Sequence, residues 1–156
     1  MSDSATIYLV RHAKAGERRV WEGKDELRPL SKHGWKQAAA ISKRLAKHAT
    51  SLVSSPYLRC VQTLEPLAEL NGVEISHEQR LSEGEPFEPV LALLNEVADG
   101  AVLCSHGDII PDVIQALARR GMEVQTPPDW RKASIWVVKR NGEHITKGKV
   151  WPPPTT

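Results

Sequence analysis

Long apolar runs are missing from this 156-residue chain. None could span a bilayer, and the start, Met1-Ser-Asp-Ser, has neither the basic nor the apolar segment of a secretion leader. The expectation is a cytoplasmic protein with no membrane partner. Cysteine is scarce: Cys60 and Cys104 are too few for a disulfide framework and too far apart for a zinc-ligand pair, so both read as reduced thiols. The Cys-x5-Arg loop of a thiol phosphatase is absent, and His33, His48, His77 and His144 show no metal spacing. Excess charge of one sign is also lacking. The net charge of +2 comes without the concentrated basic stripe of a nucleic-acid surface, which argues against nucleic acid as a partner.

What is present is ordinary for one globular domain: 40% hydrophobic and 26% charged residues, read as a single unit over 1–156 with "WPPPTT" (151–156) as an extended tail. "ATIYLV" (5–10) reads as a buried strand, and "SLVSS" (51–55), "VEISHE" (73–78) and "AVLCS" (101–105) as three more. Helical spacing predicts helices over "KHGWKQAAAISKRLAKH", capped by Ser31, over "YLRCVQTLEPLAELNG" following Pro56, and over "FEPVLALLNEVAD" and "GDIIPDVIQALARRG". Pro66 must kink the second helix or cost it a hydrogen bond. "SIWVVKR" and "HITKGKVW" suggest closing strands joined at Asn141-Gly142. Trp35 and Trp136 match the core periodicity; Trp21 and Trp130 read as core or as packing against the loop, with a place beside the pocket as the alternative. Strands alternating with helices predict an α/β three-layer sandwich around a mostly parallel central sheet.

In that order three groups fall at strand ends. Arg11-His12 follows the first strand, Ser54-Ser55 leads into Arg59 after the second, and Ser105-His106-Gly107 follows the fourth. Ligand crevices of open α/β sheets lie at the carboxyl ends of strands, so these distant residues can converge. Two arginines and two histidines in one crevice suit a dianion, because guanidinium forks match phosphate oxygens. A neutral imidazole among them can attack phosphorus, with the cations supplying the charge stabilisation that a metal would otherwise give, so neither metal nor cofactor is required. Residues 11–30 form a long loop without periodicity, of the kind usually functional, and carry Lys14, Arg18, Arg19, Lys24 and Arg28. Together these suit an electrostatic rim; Arg28 instead could tie the loop down through Asp25.

"LVRHAKAG", "SSPYLRCVQT" and "CSHGD", in this order, resemble the histidine phosphatase superfamily, and "DELRPLSKHGWKQA" resembles its small SixA-like phosphohistidine phosphatase branch. The chain is also similar to the phosphatase-like domain fused to some Nudix hydrolases. The resemblance implies a phosphoglycerate mutase-like fold and a metal-independent phosphatase with His12 as the phosphorylated nucleophile. Arg11, Arg59 and His106 match the family's phosphate pocket. Glu83, in "RLSEGEP", resembles the general acid of many members, with Asp108 the competing carboxylate. Ala13 departs from the usual glycine and is expected to narrow the backbone approach at the nucleophile. The implied partner is a phosphorylated protein carrying phosphohistidine, or alternatively a small phosphate ester or nucleotide. The remaining alternative is a non-catalytic phosphate-binding module. The oligomeric state is not specified by the sequence.

Overall fold

The structure, a computed structural model, describes residues 4–156. Chain order is β1 (Ser4–Arg11), α1 (Lys32–Leu45), β2 (Ser51–Ser54), α2 (Leu58–Asn71), β3 (Ile75–His77), α3 (Glu88–Glu96), β4 (Ala101–Ser105), α4 (Ile110–Arg119), β5 (Glu123–Val124), β6 (Ile135–Asn141) and β7 (His144–Trp151). The strands form one seven-stranded sheet, ordered β3-β2-β4-β1-β6-β7-β5. The β3-β2-β4-β1 half is parallel throughout, as the helical crossovers between its strands demand. β6 runs antiparallel to both β1 and β7, so the sheet is mixed at the end that closes with a hairpin.

The β1 sequence explains its central place. Ile7 and Leu9 pack with α3 and α4, whereas Tyr8 and Val10 pack with α1 and α2. Residues of alternating direction are thus buried on both faces, as expected for a parallel strand covered by helices. Each such fully buried aliphatic side chain contributes about 1.5–3 kcal/mol. The sheet is therefore the middle of three layers, and β1 and β4, paired from Tyr8↔Val102 to Arg11↔Ser105, end side by side.

Several boundaries differ from the sequence reading. The first helix stops at Leu45 rather than His48, and α4 begins at Ile110 after a turn that starts at Gly107. Pro66 sits inside α2 without ending it. The closing hairpin turns at Gly142-Glu143, with Asn141 still paired to His144 and Gly142 at φ 65°. The short β5 strand was not anticipated, having too few residues for any periodicity. Trp136 is buried, but Trp35 is 37% exposed. The α1 surface that meets the protein is Gly34, Gln37, Ala38, Ile41 and Leu45. At its start the Lys14 carbonyl fills the space a Cβ on Gly34 would need, and Trp35 is rotated off that contact. No helix among the described residues is long and apolar enough to cross a membrane.

Candidate active site

The carboxyl ends of β1, β2 and β4 bring the expected side chains together. His12 continues the β1 ladder by donating its backbone N–H to the Ser105 carbonyl at 3.1 Å. His106 follows directly after β4, and its ring stands edge-on to that of His12 with centroids 5.4 Å apart. Arg59 lies in the first turn of α2 and is fully buried.

The tautomer of His12 follows from its neighbour. Its Nδ1 lies 2.7 Å from the Ala13 carbonyl oxygen, which can only accept, so Nδ1 carries the proton and Nε2 the lone pair. Burial holds the ring well below the ordinary imidazole range; the Ala13 carbonyl opposes this, and the charges of His106, Arg59 and Arg11 reinforce it. The imidazole is consequently neutral near pH 7.

Ala13 itself does not face the cleft. Its methyl belongs to the apolar cluster containing Val10, Ile41 and Cys60, and its N–H donates to Thr63 Oγ1 at 2.9 Å. Thr63 in turn donates to the Arg59 carbonyl at 2.7 Å, coupling the backbone beside His12 to the turn that carries Arg59. The expected narrowing at the nucleophile is therefore not seen, because the additional methyl is accommodated in the core.

Arg59 is gripped by carboxylates. Its Nη2 donates to Asp25 Oδ2 at 3.1 Å and to Glu83 Oε1 at 3.2 Å, while Nη1 donates to the Asp25 carbonyl at 2.9 Å. Glu83 Oε1 also accepts from Arg18 and stands 4.0 Å from His106 Nδ1. The Arg59 guanidinium stands 4.9 Å over the Tyr57 ring, and the His106 ring meets that ring edge-on with centroids 4.7 Å apart. Ser55 Oγ lies 2.8 Å from His106 Nε2 and accepts from the Tyr57 N–H. The Ser55 hydroxyl can donate to Nε2 while it accepts from Tyr57, an arrangement in which the ring proton sits on Nδ1.

Arg11 donates to the Trp130 carbonyl and packs against Gly107; a Cβ there would lie 2.5 Å from the guanidinium carbon. Only glycine admits this approach. Asp108 sits at the rim, where Oδ2 accepts the Gly84 N–H at 2.8 Å. It thereby fixes the residue following Glu83. Three buried nitrogens, Arg11 Nε, Arg59 Nε and His106 Nδ1, have no hydrogen-bond partner. Donors left unmade in this way are costly, and an anion would satisfy them.

Arg11 and His12 open onto a cleft of about 330 Å³, walled also by Lys14, Arg18, Glu83, Gly107, Asp108 and Lys132, with Arg59 and His106 buried behind that wall. The 11–30 loop is not structureless: short 3-10 turns at Arg18–Val20 and Asp25–Leu27 fold it over the cleft. Arg28 is buried and anchors it, donating to Asp25 Oδ1 at 2.9 Å and to the Gly16 carbonyl at 2.6 Å. Burial raises the Asp25 carboxyl, but the hydrogen bond from Arg28 and the charge of Arg59 outweigh this and hold it below its ordinary value. Trp21 bonds within the loop to the Lys24 carbonyl but is exposed rather than core, and Trp130 stacks on Trp136 at 5.2 Å; neither lines the cleft. Cys104 is core, as expected, and Cys60 is equally buried beside His106, its sulfur 3.5 Å from Nε2. Among the described residues no three His, Cys, Asp or Glu side chains gather as metal ligands.

The residues that the sequence singles out, Arg11, His12, Arg59, His106, Glu83 and Asp108, are brought together here. In the sequence Asp25 stands only as an anchor and Ser55 only as part of the group leading into Arg59, whereas Tyr57, Thr63 and Lys132 carry no assigned role. Ser55, Tyr57 and Thr63 lie in the quoted "SSPYLRCVQT", where spacing to Arg59 was the available signal. Lys132 had none, because it follows no strand end.

The sequence pattern described as histidine phosphatase superfamily (branch 1) matches residues 7–86, and the chain belongs to that superfamily. Over 97% of its length it is 33% identical to an 8-oxo-(d)GTP phosphatase of Mycolicibacterium smegmatis, spanning 49% of that relative. The fold is that of the phosphoglycerate mutase-like proteins. The protein histidine phosphatase SixA, solved with tungstate, superposes with a TM-score of 0.74 at 20% identity, covering 90% of this chain and 92% of that one. Phosphoglycerate mutase from Bacillus anthracis gives 0.67 at 16% identity, covering 93% and 92%.

Proposed function

We propose that this protein is a phosphatase that hydrolyses a phosphoryl group through a phosphohistidine on His12. The carrying observation is the set of partnerless buried nitrogens on Arg11, Arg59 and His106 around a neutral His12 whose Nε2 is free. A bound phosphoryl group has three equatorial oxygens for these donors, and Nε2 attacks in line. As the Nε2–P bond forms, the bond to the leaving oxygen breaks. The arginines and His106 hold the charge on the equatorial oxygens, which requires positioning more than covalent chemistry. Substrate must draw Arg59 away from Glu83, so that this carboxyl can take up a proton from solvent, pass it to an ester leaving oxygen, and then recover one from the attacking water. Asp108 has one oxygen committed to Gly84, so Glu83 is the better placed of the two.

Two substrate readings have support. A phosphohistidine side chain fits the short SixA-like fold, and imidazole departs with little acid assistance. A small phosphorylated compound is supported by the relative named for 8-oxo-(d)GTP, which matches nearly the whole chain, and by the cationic wall of the cleft. The test is turnover of an aryl phosphate in EDTA by the wild type and by His12→Ala. Loss of turnover with phosphate binding retained is expected in the variant. Undiminished turnover by His12→Ala, or none by the folded wild type, would reject the reading.

A further inference from the structure

On the other side of Arg11 lies a second cavity of about 630 Å³, lined by Lys14, Gln37, Arg131, Lys132 and Pro153 among others, with no carboxylate in its wall. Arg11, Lys14 and Lys132 line both spaces. Arg131 is already neutralised by Asp129 at 2.6 Å. Lys14 and Lys132 have no ion-pair partner among the described residues. Burial lowers the Lys132 ammonium, and Arg11, Arg28, Lys14 and Arg59 all repel it further. Glu17, Glu83 and Asp108 stand only in the wall of the first cleft, so the cations of the second cavity face no anion there, and a ligand would supply the missing charge.

Neither lysine is carried on loose chain. Lys14 has its N–H bonded to Gln37 Oε1 at 2.9 Å, and its carbonyl accepts from the Ser31 N–H and hydroxyl. Lys132 precedes Ala133, a buried residue at φ 70°, where a side chain is strained. That conformation is held because the Ala133 N–H lies 3.1 and 3.2 Å from the Arg11 and His12 carbonyls. Both lysines are thus fixed to the backbone that presents His12.

We infer that Lys14 and Lys132 form a second anion subsite, which takes the penultimate phosphate of a small polyphosphate substrate while the terminal phosphoryl group lies at His12. This deepens, and rests on, the phosphatase reading above. When Nε2 bonds to the terminal phosphorus, the bridging P–O bond breaks and its electron pair stays on the bridging oxygen. The shortened chain departs as an anion held by two ammonium groups, with no proton needed. Water then releases the phosphoryl group from His12 as orthophosphate. A protein phosphohistidine offers no second phosphate to this wall.

The experiment measures binding by calorimetry to His12→Asn, which separates affinity from turnover. Tripolyphosphate should bind at least about tenfold more tightly than orthophosphate, the order expected for added charge-assisted contacts. That ratio should collapse in Lys14→Ala/Lys132→Ala and fall in Lys132→Gln, which keeps most of the stem. It should survive in Arg19→Ala, an exposed loop cation paired with Glu17. Equal affinities, a ratio that survives loss of both lysines, an equal fall in Arg19→Ala, or a phosphohistidine peptide binding as tightly as tripolyphosphate would each overturn the subsite. Failure to find a phosphoryl adduct on wild-type His12 would instead remove the enzymatic reading and leave this ratio intact.

Discussion

His12 Nδ1 donates to the carbonyl of the very next residue, Ala13, at 2.7 Å. This contact fixes the ring with Nε2 toward the cleft and forbids the other neutral tautomer. Because burial and nearby cations hold the ring well below its ordinary 6.5, phosphoryl transfer to His12 should not fall as pH drops through 6.5. Single-turnover rates with an aryl phosphate from pH 7.5 to 5.5 check this; a limb of His12 protonation centred near 6.5 would contradict it. Linkage gives the corresponding sign for stability. A histidine depressed in the fold binds its proton more readily when unfolded, so this contribution is present above pH 6.5 and declines as pH falls below it.

Glu83→Gln should lower turnover of an ester with a poor leaving group by about 10²–10⁴-fold, the usual contribution of a positioned acid–base group. Formation of the adduct from an activated aryl phosphate should fall much less, because that leaving oxygen needs little protonation. Asp108→Asn retains a side-chain oxygen for the Gly84 N–H and should be milder. The comparison of poor with activated leaving groups measures it, and an Asp108→Asn effect larger and more leaving-group-dependent than that of Glu83→Gln would exchange the two assignments.

Asp25 binds Arg28 and Arg59 at once, and its carboxyl is held below the ordinary range. A depressed carboxyl contributes stability above its unfolded value near 4 and loses it as pH falls through the lowered folded value. Asp25→Asn should therefore show a weaker loss of stability between pH 5 and 3 than the wild type, and a more protease-sensitive 11–30 loop at pH 7. Melting temperature against pH and limited proteolysis provide the readouts.

Gly107→Ala would drive a methyl into the Arg11 guanidinium, at the 2.5 Å approach seen here. The expected result is a rise in KM of about tenfold or more with a fold that survives, because one charge-assisted contact is worth about 1.5–3 kcal/mol. Steady-state kinetics beside a thermal melt separate this from general destabilisation.

Most of the frame was legible because β4 is buried throughout and β1 from Ile7 to Val10, and each of these apolar runs ends in a polar side chain that no core could hold unpaired. Arg11, His12 and His106 follow from that break alone. Arg59 required the further step that α2 begins where β2 ends. The supports were harder to see. Ser55 and Thr63 are small hydroxyl residues common on any helix approach, and only their contacts with His106 and Ala13 distinguish them. The folding of the 11–30 loop depends on Arg28 reaching across to Gly16, a tertiary contact that leaves no periodicity. Lys132 depends on the left-handed Ala133, a conformation that sequence gives no reason to assign to alanine.

The most direct test of the account is mass spectrometry of the protein quenched in acid and in alkali after brief exposure to an aryl phosphate. The account predicts a phosphoryl group on His12, stable to alkali and lost in acid, and absent from His12→Ala. A steady-state reaction with no such adduct, or with the phosphoryl group on any other residue, would contradict it.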